Sequence, residues 1–317
     1  MVNLKLFNEH SDYEAYIGKK DAILPNVSYC LDAPNEVHYN PPHHDYSKDY
    51  LTFVALEDGT FKLSGNSVNY SLDDGETWTT LAANTNSPTI QSGDKIMFKA
   101  ELTPTYNGIG TFSSTGSFIA QGNPMSLLYE DNFIGQNDLT GKDYAFSKIF
   151  SGCTGLTSAE NMSLPATTLA SSCYYNMFRG CTSLKTAPAL PATTMADYCY
   201  QGMFKGCTGL TTAPALPATT LANNCYYNMF QGCTGLTTAP ELPATTLANG
   251  CYSNMFYGCT SLNYIKCLAT DISANNCTNG WVSNVAPTGT FTKAAGMTGW
   301  TTDVNGIPLG WTVQDKA

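Results

Sequence analysis

Charge is scarce in this chain. Asp, Glu, Lys and Arg together make up 13 % of its 317 residues, and the formal balance at pH 7 is −10. No basic patch exists to neutralise phosphates, which argues against a nucleic-acid partner. No apolar run comes near the length needed to span a bilayer. The opening stretch from Met1 to His10 lacks the long apolar segment of a secretory signal peptide; either the chain is not exported by that route or a leader has been replaced by Met1. All four histidines lie before residue 45. Gly-x-Ser-x-Gly, Walker, His-Glu-x-x-His and dinucleotide motifs are absent, as are Cys-x-x-Cys pairs. No cofactor, metal or catalytic residue is therefore expected, and the protein is not expected to be an enzyme.

What the chain has instead is repetition. The unit Cys-Tyr-x-x-Met-Phe-x-Gly-Cys-Thr-x-Leu-x-x-Ala-Pro-x-Leu-Pro-Ala-Thr-Thr-Leu-Ala recurs between Gly152 and Val282. Its second cysteine falls at Cys153, Cys181, Cys207, Cys233 and Cys259, a first step of 28 residues followed by steps of 26. A period of this length predicts a solenoid, whose chemistry is that of a surface. Strand-paired copies stack at about 4.8 Å, so five of them would stand roughly 20–25 Å tall. Of the 12 cysteines, all but Cys30 lie between Cys153 and Cys277. They suggest two buried columns of reduced thiols, since free cysteine packs as a small hydrophobe. The alternative is four disulfides, each closing an eight-residue step.

Within a unit, the two prolines forbid helix over Leu-x-x-Ala-Pro-x-Leu-Pro and predict a short extended stretch. Ala-Thr-Thr-Leu-Ala makes the return. Cys-Tyr-x-x-Met-Phe is the best candidate for a helical turn, with Cys and Met four apart on one face. The end copies are degenerate: Ala145 and Ile149 stand in the Cys and Met slots of the first, and Trp281-Val282 replace Met-Phe in the last. Two strands about the Asn305-Gly306 turn are expected to cap the stack and bury Trp300 and Trp311.

The reading is mainly β, in four parts: residues 1–45 as a docking segment, 46–135 as a β-sandwich-like domain, 136–282 as a leucine-rich-repeat solenoid with 26-residue coils, and 283–317 as a β cap. In the first part, Ser11–Tyr16 has capping-box spacing through Glu14, and Pro25, Pro34, Pro41 and Pro42 break up the stretch after it. His38, His43, His44 and Asp45 match no standard ligand spacing, and a polar turn accounts for them equally well. In the second part, short strands alternate with turn residues at Asp58-Gly59, Gly65-Asn66 and Asp74-Gly75. Ser71-Leu-Asp-Asp-Gly-Glu-Thr-Trp78 matches the Ser-x-Asp-x-Gly-x-x-Trp box, which resembles those of sialidases. It occurs once and without an arginine cluster, so a structural hairpin is expected. The carboxylates of the repeats, Glu160, Asp197, Glu241 and Asp271, form no prepared pair.

Slots that differ between copies mark solvent-facing positions. They are Arg179, Lys205, Gln231 and Tyr257; Lys185-Thr186 against Asn263-Tyr264; and Ser171-Ser172, Asp197-Tyr198 and Asn223-Asn224. Alongside runs a column of Tyr174, Tyr200, Tyr226 and Tyr252. Exposed, it would hold sugar rings or a protein partner; buried, it would merely cover the core.

The Met-Phe-Arg-Gly-Cys-Thr-Ser-Leu184 core is similar to the BspA-like leucine-rich repeats of Bacteroidetes surface proteins, over residues 145–282. The Ala-Pro-x-Leu-Pro stretch and the second cysteine column depart from that pattern. The flanks Asn35–Pro41, Tyr70–Trp78, Gly110–Gly116 and Gly306–Trp311 are similar to modules of such proteins in gut Bacteroidetes and their phages. The resemblance implies adhesion to a cell-surface glycan or protein receptor. With no leader visible, a phage or prophage tail protein is the first expectation, located in the virion and docked to other virion proteins through residues 1–45. A secreted bacterial adhesin at the cell surface, binding host matrix or glycans, is the second. A glycan-active enzyme is a remote third. Such appendages are often homo-oligomers.

Overall fold

The computed structural model describes the backbone of residues 3–5, 28–31 and 36–40, and residues 49–316 with their side chains. The Ser11–Tyr16 helix, the four prolines and the His43-His44-Asp45 turn lie outside the described residues. The chain divides into two compact units, Met1–Lys48 and Asp49–Ala317. In the first, β1 (Asn3–Lys5), β2 (Ser28–Leu31) and β3 (Glu36–Asn40) form a sheet of order β1-β3-β2, with β1 parallel and β2 antiparallel to β3.

The second unit begins with strands where alternating apolar residues and turn pairs predict them: β4 (Leu51–Ala55), β5 (Phe61–Leu63), β6 (Val68–Ser71), β7 (Thr79–Leu81), β8 (Lys95–Lys99), β9 (Phe112–Ser114) and β10 (Phe118–Gln121). A short helix α1 (Ser126–Tyr129) comes next, then β11 (Leu156–Ser158) in the first repeat. The main sheet has the order β11-β10-β4-β8-β6-β7, and β5 pairs with β9 beside it. Among the described residues no sheet closes into a barrel. Phenylalanine holds the two layers together: Phe53 lies 5.2 Å from Phe61 and 4.9 Å from Phe112, ring centre to ring centre. Because β11 pairs with β10 in parallel, the sheet runs directly into the repeats across residue 135.

Between β6 and β7 the Ser-Asp box is a hairpin turn. Ser71 Oγ accepts the Gly75 N–H at 2.9 Å, Asp73 Oδ1 accepts the Thr77 N–H at 2.9 Å, and Trp78 Nε1 donates to Gly75 O at 3.0 Å. Trp78 packs edge-on against Tyr50, at 4.9 Å. Hydrogen bonds from the Thr77 hydroxyl, the Thr77 amide and Ser71 hold the Asp73 carboxyl down at about 2. Beneath the hairpin Lys99 is buried, and its Nζ bonds Asp131 Oδ1 at 2.7 Å and lies 4.6 Å from the Trp78 ring.

In the repeats, the run expected to hold a helical turn holds none. Positive φ recurs at every fourth residue, at Ser172 (56°), Asn176 (52°) and Gly180 (73°) in one copy, and at the matching slots of the others. A right-handed helix cannot pass through such residues. Alternate amides also point in different directions. Met177, Arg179 and Cys181 donate to carbonyls three residues back, whereas Tyr174, Asn176, Phe178 and Gly180 donate to Cys199, Gln201, Met203 and Lys205 of the next copy at 2.8–2.9 Å. The backbone is thus a chain of turns, with half of its donors used between copies. Asn or Gly fills most of these slots, which Ala or Val would strain, and Tyr144, Lys148, Ser172 and Tyr198 fill the rest. A Cβ at Gly202 (φ 61°) would come within 2.2 Å of Asn176 Oδ1 of the preceding copy.

The proline stretch forms isolated bridges between copies, such as Ser158 with Thr186 and Thr238 with Tyr264. Full pairing returns where proline is missing. Tyr264-Ile-Lys-Cys267 replaces Thr-Ala-Pro-Glu and forms β12, paired in parallel with β13 (Thr290–Lys293) and, through it, with β14 (Thr312–Asp315). The C-terminal strands are therefore not a hairpin about Asn305-Gly306. They continue the parallel stack, and that turn instead meets the last copy, with Gly280 N–H donating to Asn305 Oδ1 at 2.7 Å and Trp281 Nε1 to Gly306 O at 2.8 Å.

The core is a set of columns. Phe150, Phe178, Phe204, Phe230 and Phe256 stack at 5.5–5.8 Å, from Phe112 of the front sheet at one end to Trp281 at the other. Trp281 in turn stacks on Trp300 at 5.5 Å. The cysteines between Cys153 and Cys277 are free and buried. In one column Cys181, Cys207, Cys233 and Cys259 each donate Sγ–H to the carbonyl of Phe150, Phe178, Phe204 and Phe230 in the preceding copy, at 3.0 Å. Each of those carbonyls also accepts the N–H of the cysteine in its own copy, so both lone pairs are used. Burial pushes the Cys173 thiol up to about 12 and holds Cys207 well above the ordinary thiol value.

Candidate recognition surface

The turn run sets which side chains meet solvent. Two inward residues alternate with two that do not join the core columns: Cys173-Tyr174 point in, Tyr175 is half-buried and Asn176 buried, Met177-Phe178 point in, and Arg179 is exposed beside half-buried Gly180. Stacking the copies turns each outward slot into a column. One carries Ser151, Arg179, Lys205, Gln231 and Tyr257; another carries Tyr175, Gln201 and Tyr227, its end positions Ser147 and Ser253 being buried.

This rhythm corrects the tyrosine column. Tyr174, Tyr200, Tyr226 and Tyr252 occupy the second inward slot and are at most 2 % exposed. Their rings stack on one another at 5.4–6.1 Å, beginning from Phe146 and ending at Trp281. Burial raises all four well above the ordinary phenol value. They cannot touch a ligand on the surface. Being invariant among the full copies was the sign of this: a residue held by packing cannot vary.

The variable slots lie elsewhere. Arg179 and Tyr257 are exposed, Tyr257 to 40 %, while Lys205 and Gln231 are half-buried. Lys205 is lowered by burial and then by the neighbouring Arg179 charge. Tyr198, in the slot before the inward pair, is also 40 % exposed. The neighbouring column of Tyr175, Gln201 and Tyr227, next to the invariant tyrosines in sequence, escaped the sequence reading although its variation is visible there. At the front end Tyr106 is 74 % exposed and meets Tyr144 edge-on at 5.1 Å, and Lys148 lies over the Tyr175 ring at 5.8 Å. The face therefore offers aromatic rings, amides and cations on a backbone locked by bonds between copies.

Three of the four repeat carboxylates, all but Glu160, are engaged in structure. Asp197 Oδ1 accepts the Asn223 N–H at 2.9 Å, Asp271 Oδ1 accepts the Ser273 N–H at 3.0 Å, and Glu241 pairs with Lys266 at 2.8 Å. Among the described residues, no group of three His, Cys, Asp or Glu is placed to hold a metal ion, and no helix is long and apolar enough to cross a membrane. A shallow groove on the front sheet, lined by Leu72, Asp74, Ile90, Asp94 and Lys95, holds the Lys95–Asp74 ion pair. Comparison with protein-family models, with curated proteins and with solved structures found no match to this chain.

Proposed function

We propose that this protein is a non-enzymatic surface-recognition module. In this reading residues 145–282 are a short solenoid of the leucine-rich-repeat type, capped by a sandwich-like front domain and a β cap. Its outward turn face binds a cell-surface glycan or protein receptor. One observation carries the reading: within a single near-identical unit, the inward slots repeat Cys, Tyr, Met and Phe, while the outward slots run through Arg179, Lys205, Gln231 and Tyr257. A scaffold needs the first pattern and gains nothing from the second. A recognition face needs both, because aromatic and amide side chains supply contact area and adaptable hydrogen bonds.

The test is binding of the intact chain to a glycan array and to bacterial cells. Tyr198→Ala with Tyr257→Ala is expected to weaken capture at least fivefold, and Tyr200→Phe to leave it unchanged. Undiminished capture by the first variant would remove the face from the reading. Bound glycan is expected to keep its chain length on prolonged incubation. The virion and secreted-adhesin settings share this surface. Peptides of the chain in purified virions would favour the phage tail, and peptides on intact bacterial cells the adhesin.

A further inference from the structure

The cations among the described residues fall into two groups. Lys95, Lys99, Lys266 and Lys293 each pair with a carboxylate, respectively Asp74, Asp131, Glu241 and Asp315. Lys62, Lys142, Lys185 and Lys316 have no ion pair among the described residues, and neither do Lys148, Arg179 and Lys205. These three come from three successive copies and lie on the outward turn face. Arg179, the one arginine of the sequence, and Lys205 hold the same slot in adjoining copies, and their backbones touch, with Gly180 N–H donating to Lys205 O at 2.8 Å.

In a chain of net charge −10, leaving Arg179 and Lys205 unpaired side by side runs against the general balance. Carboxylates at the head of these turn runs could have been aimed at them. Asp143 and Asp197 instead accept the backbone N–H groups of Ser171, at 3.2 Å, and Asn223, at 2.9 Å. Like charges in neighbouring copies repel, and Lys205 is lowered accordingly, first by its burial and then by Arg179. An anion lying across the two would relieve that repulsion. The guanidinium fork suits the paired oxygens of a carboxylate or sulfate, and the ammonium supplies a second point of charge. Tyr175 beside Lys148, and Tyr198 and Tyr257 on the same face, supply rings for the apolar side of a sugar.

We propose that Lys148, Arg179 and Lys205 form an anion-reading strip that selects a polysaccharide carrying carboxylate or sulfate groups. The proposal rests on the recognition reading of the same face and gives its ligand a chemical class. Three probes of equal length separate the possibilities in calorimetric titration of the full chain: hexagalacturonate, a heparin hexasaccharide and maltohexaose. At least one acidic probe is expected to bind ten or more times as tightly as maltohexaose, with affinity falling as salt rises. Galacturonate alone would name the carboxylate, heparin alone the sulfate. Arg179→Gln with Lys205→Gln is expected to abolish that tenfold preference without lowering the melting temperature. Equal binding of neutral and acidic probes, or an acid preference that survives the double substitution, would overturn the charge assignment and leave the recognition face standing. A parent chain that binds none of the three would overturn the glycan reading itself, and this assignment with it.

Discussion

At the residue scale, two buried side chains carry opposite expectations. The hydroxyls of Tyr174 and Tyr200 are buried without a hydrogen-bond partner. An unsatisfied buried hydroxyl costs free energy, so Tyr200→Phe is expected to keep stability or raise it by up to about 1 kcal/mol in thermal or urea unfolding. The Cys207 thiol is the reverse case, since it fills space and donates to Phe178 O at 3.0 Å. Cys207→Ala loses both and is expected to cost about 1–2 kcal/mol in the same measurement. Ionisation adds a pH signature. Burial raises the repeat thiols and tyrosines, so their folded forms stay neutral where the unfolded chain begins to ionise, near 9 for cysteine. That contribution is complete below the unfolded values and is lost as pH climbs past them. The melting temperature is expected to hold to about pH 8.5 and then fall steeply, with the repeat thiols reacting with a disulfide reagent only on unfolding.

At the scale of the element, the Ser-Asp hairpin answers to acid instead. The Asp73 carboxyl sits at about 2, below its unfolded value, so it favours the hairpin above that unfolded value and loses this as pH falls toward 2. A carboxyl titration by NMR is expected to place the Asp73 midpoint near 2, and Asp73→Asn to lower the melting temperature. This hairpin was legible because its turn residues act locally: Ser71, Asp73 and Trp78 bond within five residues of one another. The front strands were legible through alternation and glycine turns. The Cys-Tyr-x-x-Met-Phe run was not. Four-residue spacing fits a helix face and a chain of four-residue turns equally well. What decides between them is the positive φ at Ser172, Asn176 and Gly180, together with amides that bond only once a neighbouring copy is present. The same ambiguity hid which tyrosine of Tyr174-Tyr175 points inward. The C-terminal pairing was misread because Asn305-Gly306 signals a local hairpin, while the available partner of β14 lay in the stack.

For the molecule as a whole, the aromatic columns join parts that the sequence divides. Phe112 of the front sheet stacks on Phe150 at 6.0 Å, and the series closes on Trp281, Phe291 and Trp300. A gap in the middle interrupts packing on both sides, so Phe204→Ala is expected to cost about 3–5 kcal/mol. Removing residues 283–317 would bare Trp281 and the open end of the columns. The truncated chain is expected to elute as aggregate in size-exclusion chromatography, where the parent does not.

The bonds from Phe178 to Met203, Phe204 to Met229 and Phe230 to Met255 are each 2.9 Å long. One joint, used again and again, makes the copies interchangeable. Excising residues 207–232 would seat Phe204 on Met255 with an unaltered fit. A gene built this way can gain or lose a whole turn by unequal recombination and still encode a working fold. Every such event changes the molecule's reach by one rung, roughly 4.8 Å, and adds or deletes one set of outward letters. The thiol and phenylalanine joint thus leaves lineages free to change the outward side chains without having to reinvent what holds the stack up.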